Sequence, residues 1–109
     1  MTINIKQVKD VTVAMPQGRI TLQNDAEFRS KVFDLIYDHA KLLLDMSGVP
    51  SIDSSGVGVL VSLNNHLVNR GRQLKLCKLS ERVQEILIIT QLSTIFEVFD
   101  SEEEGIASF

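Results

Sequence analysis

Residues 41–60 read KLLLDMSGVPSIDSSGVGVL. Lys41 to Asp45 is a short continuous apolar run, the pattern of a strand buried on both faces as in a parallel sheet. A loop around Pro50 follows. From about Ser54 to Arg70 the apolar residues then recur at helical spacing, with Leu60, Leu63 and Leu67 on one face and Val57, Val61 and Val68 flanking it. Gly58, Ser62, Asn65, His66 and Asn69 take the opposite face, and Gly71 supplies the stop expected after a helix. A doubly buried strand feeding a helix through a polar loop is the repeating unit of an α/β fold.

Outward from this unit the pattern continues. MTINIKQ alternates Ile3 and Ile5 with polar neighbours, VTVAM reads as a second strand, and Asp10 between them suits a hairpin. Pro16 and Gly18 interrupt the pattern. Asn24 has the place of a helix N-cap, with Glu27 three residues on as in a capping box. Behind it Phe28, Val32, Leu35, Ile36 and His39 form an apolar stripe, opposite Glu27, Lys31, Asp34 and Asp38. QLKLCKL is the next strand. Ser80 caps a helix with Val83, Ile86, Leu87 and Thr90 inward, and STIFEVF reads as a last strand. Ser101 with Glu104 opens a final helix, whose three glutamates suit the positive end of the helix dipole. The order β-β-α-β-α-β-α-β-α predicts a mixed, mainly parallel sheet of four to five strands. An N-terminal hairpin supplies the antiparallel part, and about four helices pack on the sheet. With 109 residues the chain fits one domain over 1–109.

Composition narrows the function classes. Apolar residues make up 44% and charged residues 23%, and the net charge is −3. No run of Lys and Arg exceeds two residues, which argues against a nucleic-acid footprint. Cys77 is the single cysteine and lies in an apolar strand pattern, which suits a small core residue. The N-terminus lacks a signal-peptide pattern, and apolar runs fall far short of the ~18 residues of a membrane span. A reducing cytoplasm is the expected location. His39 and His66 have no neighbours that would complete a metal site, and no cofactor is expected.

Enzyme motifs are missing around the polar loop. GVG lacks the third glycine of a dinucleotide fingerprint, no Lys follows a glycine-rich loop, and the serines are not in G-x-S-x-G. The stretch reads instead as a surface. Asp53, Ser54 and Ser55 stand at the carboxyl end of a parallel strand, where such folds expose functional groups, and at a helix N-terminus hospitable to an anion. A phosphate on Ser54 would add roughly two negative charges beside Asp53 and disrupt a docked partner by repulsion and desolvation. The residues alone also allow Ser54 to be a plain N-cap. Glycine inside a helix costs about 1 kcal/mol relative to Ala, so Gly56 and Gly58 have reasons other than stability: close packing for Gly56, and for Gly58 a bare patch on the face of Ser54.

LLLDMSGVPSIDSSGVGVLV, residues 42–61, closely resembles the signature of STAS-domain anti-sigma-factor antagonists, in which a strand ending L-D-x-S is followed by D-S-S/T/A-G-L-G at a helix start. Asp45, Ser47, Asp53, Ser54, Ser55, Gly56 and Gly58 match, and Val57 replaces the usual Leu. The resemblance extends over the element order and the C-terminal half. It implies a STAS-like fold and a non-enzymatic switch that binds an anti-sigma factor with serine kinase activity and so frees the sigma factor. Phosphorylation of Ser54 by that kinase ends the partnership, and a metal-dependent serine phosphatase restores it. The implied partner face is Asp53, Ser54, Ser55, Gly56, Val57, Gly58 and Val61, with Thr21 standing in GRIT where the family often has Asp in G-x-L-D. Two alternatives share the fold: a cytoplasmic STAS subunit of a lipid-transport ABC complex, and a partner switch with an output other than sigma control. The pair Ser54–Ser55 favours the antagonist.

Overall fold

Lys41–Asp45 forms strand β3, and Leu42, Leu43 and Leu44 are fully buried, as a strand covered on both faces requires. The structure, a computed structural model, describes residues 1–36 and 40–109; Asp38 and His39 lie outside the described residues. Strands β1 (Thr2–Val8), β2 (Val11–Gln17), β4 (Gln73–Cys77) and β5 (Glu97–Phe99) complete a five-stranded sheet in the order β1-β2-β3-β4-β5. β1 and β2 form the expected antiparallel hairpin. β3 lies parallel to β2, with Leu43 beside Val13, and parallel to β4, with Leu44 beside Leu76; β4 and β5 are also parallel.

Such a sheet grows in one direction, so right-handed crossovers put the connecting helices on one face. Helices α1 (Asp25–Ile36), α2 (Ser54–Val68) and α3 (Glu81–Ile89) accordingly bury Phe28, Val32, Leu60, Leu63, Leu67, Val83 and Leu87 in one cluster with Leu42, Leu44, Leu74 and Leu76. The short helix α4 (Glu102–Ala107) lies on the other face, where Ile106, Phe99 and Phe109 pack against Val11, Val13, Leu43 and Cys77. The alternation of Leu42 and Leu44 against Leu43 therefore divides the core in two.

Several local expectations are corrected. Pro16 does not interrupt β2; it pairs with Ile3, beyond Ala14 where the ladder to β3 stops. The last strand is only Glu97–Phe99, because the backbone at Ile95 turns back to Leu92. Asn24 does not cap α1 with its side chain: its Oδ1 accepts from the Thr21 N–H at 2.8 Å and its amide donates to the Arg19 carbonyl at 2.7 Å. Glu27 pairs with the N-terminal amine and with Lys31 instead of closing a capping box. Val68 and Thr90 are exposed, while Val59 is buried. Ser80 and Ser101 do cap their helices, accepting from Val83 and Glu104 N–H groups, and Gly71 adopts φ +67° just past α2.

β3 is the sheet's central element, so truncation there leaves a cavity no neighbour can fill. Leu44→Ala is expected to cost about 2–5 kcal/mol of unfolding free energy, read by urea denaturation against wild type.

Candidate functional site

The loop between β3 and α2 is held from both sides. Within it, Asp45 Oδ1 accepts from the Ser47 N–H at 2.9 Å, and the Val49 N–H donates to the Met46 carbonyl at 3.0 Å. On the β4 side, the Met46 N–H donates to the Cys77 carbonyl at 2.9 Å and the Ser80 hydroxyl to the Pro50 carbonyl at 3.0 Å. On the β2 side, Gly18 N–H donates to Gly48 O at 2.8 Å, Ile20 N–H to Ser51 O at 3.2 Å and Asp53 N–H to Ile20 O at 3.1 Å, around a parallel bridge of Ile20 with Ile52. The start of α2 is thereby fixed at the carboxyl end of the sheet.

Asp53, not Ser54, is the N-cap of α2, with extended backbone at φ −96° and ψ −176°. Its Oδ1 accepts from the Ser55 N–H at 3.0 Å, the Gly56 N–H at 3.1 Å and the Ser55 hydroxyl at 2.5 Å. Its Oδ2 accepts from the Leu22 N–H at 3.0 Å, across the gap to the β2–α1 loop. The hydroxyl of Ser55, then the surrounding backbone N–H groups, hold the Asp53 carboxyl below its ordinary pKa.

The two serines are placed differently. Ser54 is the first helical residue and exposed, and among the described residues nothing hydrogen-bonds its hydroxyl. Ser55 is half-buried with its hydroxyl committed to Asp53. Gly56 and Val57 are buried, Val57 at 3% exposure. Gly56 is glycine for packing: a Cβ there would stand 2.5 Å from Ile52 Cγ1 and 2.8 Å from Ile20 Cγ2. Gly58 is exposed, and a Cβ on it would meet nothing within 4 Å. Val61 is half-buried. Thr21 is a turn former whose hydroxyl accepts from the Gln23 N–H at 3.2 Å. The residue that the sequence reading missed is its neighbour Leu22, 75% exposed and tied to Asp53. No periodicity marks a lone leucine in a turn.

Other reactive groups are engaged elsewhere. Cys77 is buried, which pushes its thiol up to about 12 with help from Asp45 and Glu102. Burial opposes ionisation of Asp45, yet hydrogen bonding with Glu102 and Ser47 and the Lys78 ammonium at 3.8 Å hold its carboxyl below the ordinary value. His66 packs edge-on against Phe33 with ring centres 5.2 Å apart. Among the described residues no group of three His, Cys, Asp or Glu could hold a metal, and no helix is long and apolar enough to cross a membrane.

An acid-capped helix at the carboxyl edge of a mixed sheet, with one serine held and one free, matches the signature that the sequence resembles. The chain belongs to the STAS domain family, whose pattern matches residues 2–105. A relative from Thermotoga neapolitana, named as an anti-sigma factor antagonist, is 35% identical over 103 residues, 93% of this chain and 91% of the relative. The anti-sigma-B factor antagonist of Bacillus subtilis is 28% identical over 97% of both chains. The crystal structure of an anti-sigma factor antagonist from Thermotoga maritima superposes with a TM-score of 0.90 at 30% identity, covering 97% of this chain and 92% of that one. The STAS-like α/β fold expected from the sequence is the one found.

Two tests address the cap and the glycines. The folded-state pKa of Asp53 lies below the ordinary 3.8, so its stabilisation is complete above the unfolded value and lost as pH falls through the folded one. The stability gap between wild type and Asp53→Asn, measured by urea denaturation across pH 2–7 (an order-of-magnitude span for a carboxyl titration), should be flat at neutral pH and shrink below about pH 4. Gly56→Ala should destabilise by about 1–3 kcal/mol through overpacking, whereas Gly58→Ala should be neutral or stabilise by up to about 1 kcal/mol; thermal unfolding of both variants separates the two roles.

Proposed function

We propose that the protein is an anti-sigma factor antagonist working by partner switching, and that Ser54 is its switch. The observation that carries this reading is the free, exposed hydroxyl of Ser54 at the first position of α2, beside a carboxylate whose own bonds are already made. Unphosphorylated, the protein binds an anti-sigma factor that is also a serine kinase, and the sigma factor is released. The kinase transfers the γ-phosphoryl group of ATP to Ser54 Oγ: the new O–P bond forms, the bond to ADP breaks, and the hydroxyl proton passes to a base on the kinase. The protein supplies a substrate hydroxyl and catalyses nothing. A metal-dependent serine phosphatase removes the phosphate by hydrolysis and restores binding. On this reading the whole of 1–109 acts as one cytoplasmic domain.

The physical logic is local. A phosphate at the helix start meets the positive end of the helix dipole while Asp53 keeps the first-turn N–H groups, so the fold tolerates it. A docked protein meets about two further negative charges beside Asp53 and loses its desolvated contact. Asp53 and Ser55 shape the presentation of Ser54, Gly58 keeps the adjacent turn flat, and Thr21 and Val61 border the face.

Incubation of the purified protein with its anti-sigma factor kinase and ATP should add one phosphate, mapped by mass spectrometry to Ser54 and absent in Ser54→Ala. Ser54→Asp should bind the kinase about 10-fold or more weaker, a loss of about 1.4 kcal/mol or more, with an unchanged circular dichroism spectrum. Phosphate on another residue, or undiminished binding by Ser54→Asp, would overturn the assignment.

A further inference from the structure

The large apolar side chains that the described residues leave exposed are Ile5, Leu22, Val68, Ile88, Ile89, Ile95 and Val98. Val68, Ile88, Ile89, Ile95 and Val98 belong to the later helices and the β5 edge, and Ile5 to β1. Leu22 stands apart from them. It is 75% exposed, and its N–H is bonded to the same carboxyl group that caps α2 beside Ser54.

The loop around Leu22 is built to present it. Ile20, two residues earlier, is fully buried and bridged to Ile52. Thr21 is fixed through its N–H to Asn24 Oδ1 and through its carbonyl, which accepts from the Asn24 and Asp25 N–H groups at 3.1 and 2.8 Å. The Asn24 amide closes back on the Arg19 carbonyl. The loop backbone is thus held on both sides of Leu22, with the Leu22 N–H itself bonded to Asp53. A leucine side chain 75% exposed to solvent adds little to the core. An exposed apolar side chain presented by an ordered loop backbone fits an anchor, because the backbone loses little freedom on binding.

We propose that Leu22 is the apolar anchor of the partner interface and seats in an apolar pocket of the anti-sigma factor next to the site that reaches Ser54. The inference rests on the function proposed above and extends it to a side chain outside the D-S-S-G-x-G signature. Proximity selects the occupant: Asp53 joins Leu22 and the helix start through one carboxyl group, so a protein that covers Ser54 covers Leu22 as well. The arrangement also explains how a phosphate acts at a distance from its own contacts. Charge placed on Ser54 sits at the border of an apolar contact, whose burial then requires desolvating that charge. Asp53 is the positioning residue: its second oxygen accepts from Leu22, an acceptor that the amide nitrogen of an Asn would not supply.

The test uses the full chain and each anti-sigma factor kinase encoded in the same genome, expressed, purified and titrated by calorimetry. Leu22→Ala should weaken binding roughly 10- to 100-fold, in the range of anchor truncations, with an unchanged melting temperature. It should raise KM for phosphorylation of Ser54 and leave kcat unaltered. Ile89→Ala removes a side chain equally open to solvent, at 77% exposure, from the end of α3 remote from Ser80 and the site loop, and should bind as wild type does. If wild type binds a kinase and Leu22→Ala binds it equally well, the anchor is wrong and the switch at Ser54 stands. Equal weakening by Ile89→Ala, or a Leu22→Ala effect confined to self-association in sedimentation, also overturns the anchor. Failure of wild type to bind any of the kinases defeats the functional reading and the anchor with it.

Discussion

One carboxylate organises the functional end of this molecule. Asp53 receives hydrogen bonds from the backbone of Ser55 and Gly56, from the Ser55 hydroxyl and from the backbone of Leu22. Three of these donors belong to the first turn of α2, where helical N–H groups have no partner within the helix. The fourth lies 31 residues earlier in the chain. Ionised Asp53 therefore caps a helix and joins two loops at once. The depressed pKa of its carboxyl reflects the same fact, since every one of these donors favours the charged form. The two loops and the helix start are accordingly held together through one ionised side chain.

The site stands where it does because β3 is buried on both faces. Leu42 and Leu44 face the three long helices while Leu43 faces α4, so the strand's register cannot slip by one residue without exchanging the two cores. The second face is closed by an unusual member. Lys75 is largely buried, yet its ammonium is satisfied by the Ser108 carbonyl at 2.8 Å, the Ser108 hydroxyl at 3.0 Å and Glu97 at 2.9 Å, over the Phe109 ring at 4.7 Å. That set of contacts holds the C-terminal segment against the sheet, over the side where Cys77 lies inert.

Much of this was legible in the residues. A continuous LLL run bounded by charges has one economical reading in an α/β chain, and Ser80, Ser101 and Gly71 mark helix ends by mechanisms that act within a few residues. What was not legible depends on contacts distant in sequence. Asp and Ser cap helices about equally well, so choosing Asp53 over Ser54 needed the bond that its N–H donates to Ile20 and the bond that its carboxyl accepts from Leu22. Asn24 has the right spacing for a cap, but the turn at Arg19 and Thr21 claims its side chain. The rotation of α2 between α1 and β4 decides that Val57 and Val59 are inside and Val68 outside, and periodicity alone leaves that angle loose. β5 is short because the chain turns at Ile95, and no residue there forbids a longer strand.

The paired serines show what geometry adds to composition. Ser54 and Ser55 are identical in type and adjacent in sequence, and no rule of spacing separates a hydroxyl that holds the structure from one that is available to a partner. A single donated bond separates them here. Ser55 donates to the cap, so modifying its oxygen would replace that donor with repelling charge and unfasten the first turn. The Ser54 hydroxyl takes part in none of the bonds that Asp53 makes, so the same modification would leave the cap's donors in place. Gly56 and Gly58 divide in the same manner, one filling space against Ile52 and Ile20 and the other leaving space open. Along this turn, residues whose groups are engaged or buried stand beside residues left open, Ser54 and Gly58.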